Sequence, residues 1–188
     1  MEMDKNSLRI QMIKKRDFVL DKEILDQEIY NRIVQNEKFV ESKIIAIYIA
    51  KGSEVETKKI IEKAIELGKE VVVPITNAEI EFYRFNSFDD LIRGKFGILE
   101  PKTRILPSRE PDLVIIPGVA FGQCMHRLGY GKGYYDRFLS NSKSYRIGIC
   151  YDFQIMEKLP SHEMDQKMDE IISEKRIVKA DVKQNQSI

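Results

Sequence analysis

The 188-residue sequence has no tryptophan, two cysteines and two histidines, and its 31 basic and 30 acidic side chains leave a formal charge of +1. Each scarcity removes a class of function. Cys124 and Cys150 are too few for a disulfide framework and lack the closely spaced cysteine or histidine partners of a zinc site, so both are expected to be reduced. His126 and His162 also lack a spaced ligand partner, and neither is assigned to a metal. The balanced charge gives no global field to recruit nucleic acid or an anionic membrane, so any basic site has to be local. The opening MEMDKNSLRI is polar where a secretory leader needs an apolar core, and no run approaches the roughly 20 apolar residues of a spanning helix. The expected compartment is the cytoplasm, with no nucleic-acid or membrane partner.

What is present is a regular alternation of helix and strand patterns. From Lys5 to about Glu41 apolar residues recur at helical spacing, Leu25, Ile29 and Ile33 among them, and a break near Asp21 divides the segment into two helices. KIIAIYIA (residues 43–50) and EVVVPI (70–75) are continuous β-branched runs of the kind buried on both sheet faces. Between them Ser53 and Glu56 have the spacing of a capping box, Ile60, Ile61, Ala64 and Leu67 form an apolar stripe, and Gly68 marks the stop. IEFYRF (80–85), DLVIIPG (112–118), YRIGICY (145–151) and DEIISEKRIV (169–178) read as further strands. The pattern predicts an α/β fold, a mostly parallel sheet with helices on both faces, in a single-domain three-layer sandwich covering residues 1–188 with a frayed tail at 180–188.

The densest chemistry lies in RLGYGKGYYDRFL, where thirteen residues from Arg127 to Leu139 hold three glycines, three tyrosines, two arginines, a lysine and an aspartate. The segment falls between the strand DLVIIPG and a helix beginning near Gly133, a turn at which unpaired backbone N–H groups favour an anion. Gly129, Gly131 and Gly133 allow close backbone approach to a phosphate, with Arg127 and Lys132 beside it. A tight turn with a solvated lysine is the plainer alternative, and the G-K pair lacks the following Ser or Thr of a Walker A loop. Asp136 reads either as a first-turn carboxylate favoured by the helix dipole or as one ligand of Mg²⁺ beside phosphate oxygens. Tyr130, Tyr134 and Tyr135 are core residues or the wall of a flat heteroaromatic site.

On the first helix Lys5, Arg9 and Arg16 form a line inside the apolar arc, so they are expected to face the protein body. Their stems either snorkel at a packing margin or bring charge to a bound polyanion.

These residues match a known family. The sequence resembles the 5-formyltetrahydrofolate cyclo-ligases in DKNSLR (4–9), SEVET (53–57), GILEP (97–101), IIPGVAFG (115–122), RLGYGKGYYDRFL and DQKMDEII (165–172), which follow the family's order along most of the chain. The resemblance implies ATP- and Mg²⁺-dependent closure of 5-formyltetrahydrofolate to 5,10-methenyltetrahydrofolate, with release of ADP and phosphate through a phosphorylated formyl intermediate. It implies ATP contacts at Lys5, Asn6, Ser7, Leu8 and Arg9 and at Arg127, Leu128, Gly129, Tyr130, Gly131, Lys132, Gly133, Tyr134 and Tyr135. Folate contacts fall on Ile49, Glu54 and Tyr130 to Tyr134, catalytic charge on Arg127 and Lys132, and Mg²⁺ on Asp136 and Asp165. The expected partners are the two small substrates, and the expected state is a monomer.

The chain departs from the family where members carry Phe-Asp and a glycine two residues before the arginine; here stand Phe121-Gly122 and Met125. Glu54 on its own reads as a dipole-favoured acid in the first turn of a helix. Two other functions fit parts of the motif: an ATP-independent sugar-phosphate or CoA-ester enzyme, and a folate- or nucleotide-binding module stacking bases on its tyrosines.

Overall fold

The computed structural model describes residues 4–94, 97–160 and 165–180. The chain opens with three helices, α1 (Lys5–Asp17), α2 (Lys22–Val34) and α3 (Glu37–Glu41). The break lies at Asp21, whose φ of 53° is left-handed and cannot continue a helix. A further helix, α3, follows Asn36, whose side chain accepts from the amides of Lys38 and Phe39.

Then come β1 (Ile44–Ile47), α4 (Lys58–Glu66), β2 (Glu70–Thr76) and β3 (Ile80–Arg84), and after them the small hairpin β4 (Leu91–Arg93) and β5 (Leu99–Pro101). β6 (Leu113–Ile116) leads into β7 (Ala120–Gly122), β8 (Arg127–Leu128), α5 (Tyr134–Ser140), β9 (Tyr145–Ile149), β10 (Ile155–Met156), β11 (Glu170–Ile172) and β12 (Ile177–Lys179). The main sheet has the order β12-β11-β9-β6-β1-β2-β3. Its five inner strands run parallel, and β3 and β12 are antiparallel edges.

The inner strands alternate between two cores. Ile45, Ile47, Val71, Val73 and Ile115 pack with Ile29, Ile33, Ile60 and Ile61 of α2 and α4. Ile44, Ala46, Val72, Val114 and Ile116 point the other way, toward Leu139 of α5 and Phe121 of β7. This alternation is why the strands are apolar at every position, and it confirms the α/β architecture with helices on both faces. Phe121 is fully buried because Gly118 and Gly148 leave room for it; a Cβ at Gly148 would come within 2.3 Å of its ring. No helix among the described residues is long and apolar enough to cross a membrane.

The segment from Lys5 to Glu41 holds three helices where the sequence reading expected two, and two further elements differ from that reading. DEIISEKRIV is a hairpin, β11 and β12, because Ser173 turns the chain: its N–H donates to Arg176 O, and its Oγ accepts from the amides of Lys175 and Arg176. Ser53 and Glu56 do not form a capping box, since α4 starts at Lys58. Ser53 Oγ is engaged by Arg16 and Asp17, and Glu56 instead caps from outside the helix, accepting from the amides of Thr57 and Lys58. Of the expected frayed tail only Ala180 falls within the described residues; 181–188 and His162 lie outside them.

Candidate active site

A cleft of about 830 Å³ opens at the carboxyl ends of the parallel strands, in the size range of a substrate pocket. Three segments build it: the first helix, the loop between β1 and α4, and the glycine-rich turn from Arg127 to Asp136.

The glycines have distinct reasons. A Cβ at Gly129 would sit 2.4 Å from Arg127 Nη1, so only glycine lets that guanidinium fold back on its own loop. Gly131 takes φ +95°, a left-handed conformation that other residues resist, and its Cα faces Arg9. α5 is seven residues long, so its dipole contributes less to anion binding than the side chains around the turn.

Those side chains converge. Arg127 is buried, donates to Pro117 O and Asp136, and lies over the Tyr135 ring at 5.4 Å. Its Nε is buried with no acceptor among the described residues. Arg9 Nε donates to Gly129 O at 2.8 Å, pinning the glycine turn to α1. Lys5 Nζ pairs with Asp165 at 2.6 Å, and the Gln166 amide donates to Asp136 at 3.3 Å, so the segment carrying Asp165 is tied to Asp136. Lys132 also lines the cleft and is exposed. Among the described residues no three His, Cys, Asp or Glu side chains cluster as a metal cage.

The other end of the cleft is less polar, with Tyr48, Ile49, Pro74, Ile80 and Ile98 near Tyr130 and Tyr134. Tyr134 donates to Asn77 O. The ring of Tyr130 is exposed, while its hydroxyl donates to Glu54 Oε1 at 2.6 Å and accepts from Arg16 Nη2 at 2.8 Å. Burial and then the Glu54 carboxylate push the Tyr130 phenol well above its usual range, and burial does the same to Tyr135, so neither acts as a base near neutral pH. Glu54 Oε2 accepts from the Lys51 amide at 2.9 Å.

Of the residues singled out from sequence, Lys5, Arg9, Ile49, Glu54, Arg127 to Asp136 and Asp165 all line this cleft. Asn6, Ser7 and Leu8 do not. Asn6 accepts from Arg9, Ser7 donates to the N-cap residue Asp4, and Leu8 is buried in a small core with Val119, Ala120 and Leu128. Glu54 precedes α4 and turns into the cleft, which replaces its reading as a first-turn acid. Arg16 was visible in the sequence only as a basic residue on an apolar arc, Ser53 only as a helix cap, and Lys51 carried no signal; all three line the site.

Comparison with known proteins bears on this geometry. The model of the 5-formyltetrahydrofolate cyclo-ligase family matches residues 1–174. A Caenorhabditis elegans protein named "Probable 5-formyltetrahydrofolate cyclo-ligase" is 34% identical over 166 residues, covering 79% of this chain and 81% of the relative. The Schizosaccharomyces pombe protein of the same name is 30% identical over 95% of this chain and 99% of its own. The solved structure of Aquifex aeolicus 5,10-methenyltetrahydrofolate synthetase superposes with a TM-score of 0.84 at 31% identity, over 99% of this chain and 96% of that one.

Proposed function

The chain belongs to the 5-formyltetrahydrofolate cyclo-ligase family, and from that premise we propose that it closes 5-formyltetrahydrofolate to 5,10-methenyltetrahydrofolate while converting ATP to ADP and phosphate. One observation carries the reading: a single cleft joins a cationic glycine turn to a tyrosine-lined wall that ends in Glu54. The first end suits a triphosphate and the second a flat, N–H-rich ring.

The formyl oxygen is a poor leaving group and has to be converted. Its attack on the terminal phosphorus of ATP forms an O–P bond, breaks the bond to the bridging oxygen and releases ADP, leaving a phosphorylated iminium at N5. N10 then adds to the formyl carbon. Departure of phosphate and loss of the N10 proton leave the methenyl bridge. Such a transfer needs positioning and charge more than a protein nucleophile. Arg127 and Lys132 neutralise the transferring group, with Lys5 and Arg9 beside it on α1. Glu54 accepts from N–H groups of the folate ring, and Ile49 lies against its face.

Asp136 and Asp165 fit Mg²⁺, which takes one or two carboxylates together with phosphate oxygens. Each reaches the cleft opposite a cation, Arg127 or Lys5, and the two segments are hydrogen-bonded together. Bound there, the ion would supply Lewis-acid charge to the phosphates. A monomer is proposed as the working unit, and the small soluble substrates suit a cytoplasmic enzyme.

The deciding experiment mixes the purified protein with 5-formyltetrahydrofolate, ATP and Mg²⁺ and follows the near-ultraviolet absorbance of the methenyl product. Product that requires both ATP and Mg²⁺ is the expected result. Product without ATP would favour an ATP-independent enzyme of related fold, and folded protein that binds ATP but forms no product would remove the cyclo-ligase reading.

A further inference from the structure

Arg16 is 5% exposed and lines the cleft, yet the roles proposed above leave it without one. All three of its nitrogens are used. Nε donates to Ser53 Oγ at 3.1 Å, Nη1 to Gly118 O at 3.3 Å and Nη2 to the Tyr130 hydroxyl at 2.8 Å. It therefore ties α1 to the end of β6, to the loop bearing Glu54 and to the glycine turn. No described hydrogen bond takes it to a carboxylate directly; Ser53 stands between it and Asp17, and Tyr130 between it and Glu54.

The chemistry of the middle group gives this arrangement a direction. A phenol has one proton, and a guanidinium is a donor with no acceptor. Toward Arg16 the Tyr130 oxygen can only accept, so its single proton is committed to Glu54 Oε1. With the Lys51 amide on Oε2, both carboxylate oxygens are oriented. Without Arg16 the Tyr130 oxygen loses the donor that anchors it to α1, whereas Ser53 Oγ keeps Asp17 as a partner on the same helix.

We propose that Arg16 is a positioning residue of the folate half-site, holding Glu54 in its accepting orientation by anchoring the Tyr130 hydroxyl that donates to it; the proposal rests on the cyclo-ligase reading of the cleft. Arg16 touches neither reacting atom, so its removal should weaken folate binding far more than it alters phosphoryl transfer.

Two measurements on the intact chain test this. In ligand-free protein, amide hydrogen exchange at Lys51 and Glu54 is compared among wild type, Arg16→Gln, Arg16→Lys and Tyr130→Phe; exchange is expected to quicken by about tenfold in Arg16→Gln and Tyr130→Phe and by less in Arg16→Lys. In turnover, the KM for 5-formyltetrahydrofolate is expected to rise about tenfold in Arg16→Gln, while kcat and the KM for ATP stay within about threefold. Because the effect passes through the hydroxyl, Arg16→Lys added to Tyr130→Phe should change the folate KM by no more than about twofold beyond Tyr130→Phe alone. The lysine variant keeps a buried cation and serves if glutamine prevents folding.

Unchanged exchange at residues 51 and 54 would overturn the proposal whatever the folate result. So would an unaltered folate KM, or Arg16 and Tyr130 effects that simply multiply. Wild-type protein that gives no methenyl product would instead overturn the reading of the site's function, while the exchange rates, read without ligand, would still decide whether Arg16 holds Glu54.

Discussion

The guanidinium of Arg127 and the carboxylate of Asp136 meet at 3.3 Å, with side-chain exposures of 4% and 23%. The pair closes the glycine turn on itself, one partner on β8 and the other on α5. Asp136 thus serves twice, offsetting a buried cation and offering oxygen to the cleft.

Asp136→Asn should therefore lose both stability and activity. It leaves Arg127 buried without a charged partner, a loss of about 1–3 kcal/mol in urea unfolding, below the range of fully buried pairs because Asp136 is partly exposed. Turnover should fall by about 100-fold or more through displaced charge. Asp165→Asn is the contrast: the cation it leaves behind, Lys5, is 18% exposed on a flexible stem where Arg127 is 4% exposed, so it can turn to water, and unfolding should change by less than in Asp136→Asn while turnover still falls. Equal destabilisation by both variants would contradict this division.

Gly129→Ala probes the same guanidinium from the other side. The added methyl carbon would lie 2.4 Å from Arg127 Nη1, a side-chain end that can move, so the fold should survive with a modest drop in melting temperature. The arginine should not return to its place. A fall in kcat of about 100-fold with nearly unchanged folate KM is expected, since a shift on the order of 1 Å in a charge-bearing group can cost that much. Steady-state kinetics separates the two constants.

Glu54→Gln should act on the folate half-site alone. The amide keeps an acceptor for the Tyr130 hydroxyl but presents an N–H where the Lys51 amide now donates. The KM for 5-formyltetrahydrofolate is expected to rise about tenfold, the value of one charged hydrogen bond, with the melting temperature nearly unchanged. An unchanged KM would remove Glu54 from substrate binding.

How much of this was legible in the chain depends on how local its causes are. The β-branched runs announced buried parallel strands because the same residues that fill two cores leave no polar position between them. The glycine turn was legible because its spacing is a backbone requirement. The start of α4 was not: Ser53 and Glu56 satisfy a capping pattern, but Ser53 is claimed by Arg16 from 37 positions earlier, and no local rule contains that competitor. The same long-range tie hid Arg16 itself, which on a helical wheel is one basic residue among several. The hairpin of β11 and β12 was missed because Ser173 turns the chain through its side chain, with no glycine or proline to announce it.

Met125 sets backbone strain against burial. Its φ is 68°, in a turn closed by its own N–H donating to Gly122 O, where a glycine would fit without strain. Here the side chain is buried in the core beneath the main sheet. Met125→Gly would relieve about 1–2 kcal/mol of backbone strain but remove a buried side chain of larger value, so a net destabilisation of about 1–3 kcal/mol is expected. Denaturant unfolding reads the sign, and a stabilised variant would mean that strain outweighs packing at this turn.

Asp112 sets a stability limit in acid that is independent of the active site. Its carboxylate accepts from Arg109 and from the amides of Lys43 and Ile44, joining the start of β6 to the start of β1. The Arg109 hydrogen bond, assisted by the two amides, lowers its pKa from 3.8 to about 2. A group whose folded pKa lies below its unfolded value binds protons more readily once unfolded, so its contribution is complete above the unfolded pKa and is lost as pH falls toward the folded one. The stability gap between wild type and Asp112→Asn should therefore be constant above about pH 5 and shrink steadily between pH 3.8 and 2. Unfolding measured at several pH values checks this, and a gap that widened in acid would assign the stabilisation to a group other than the ionised carboxylate.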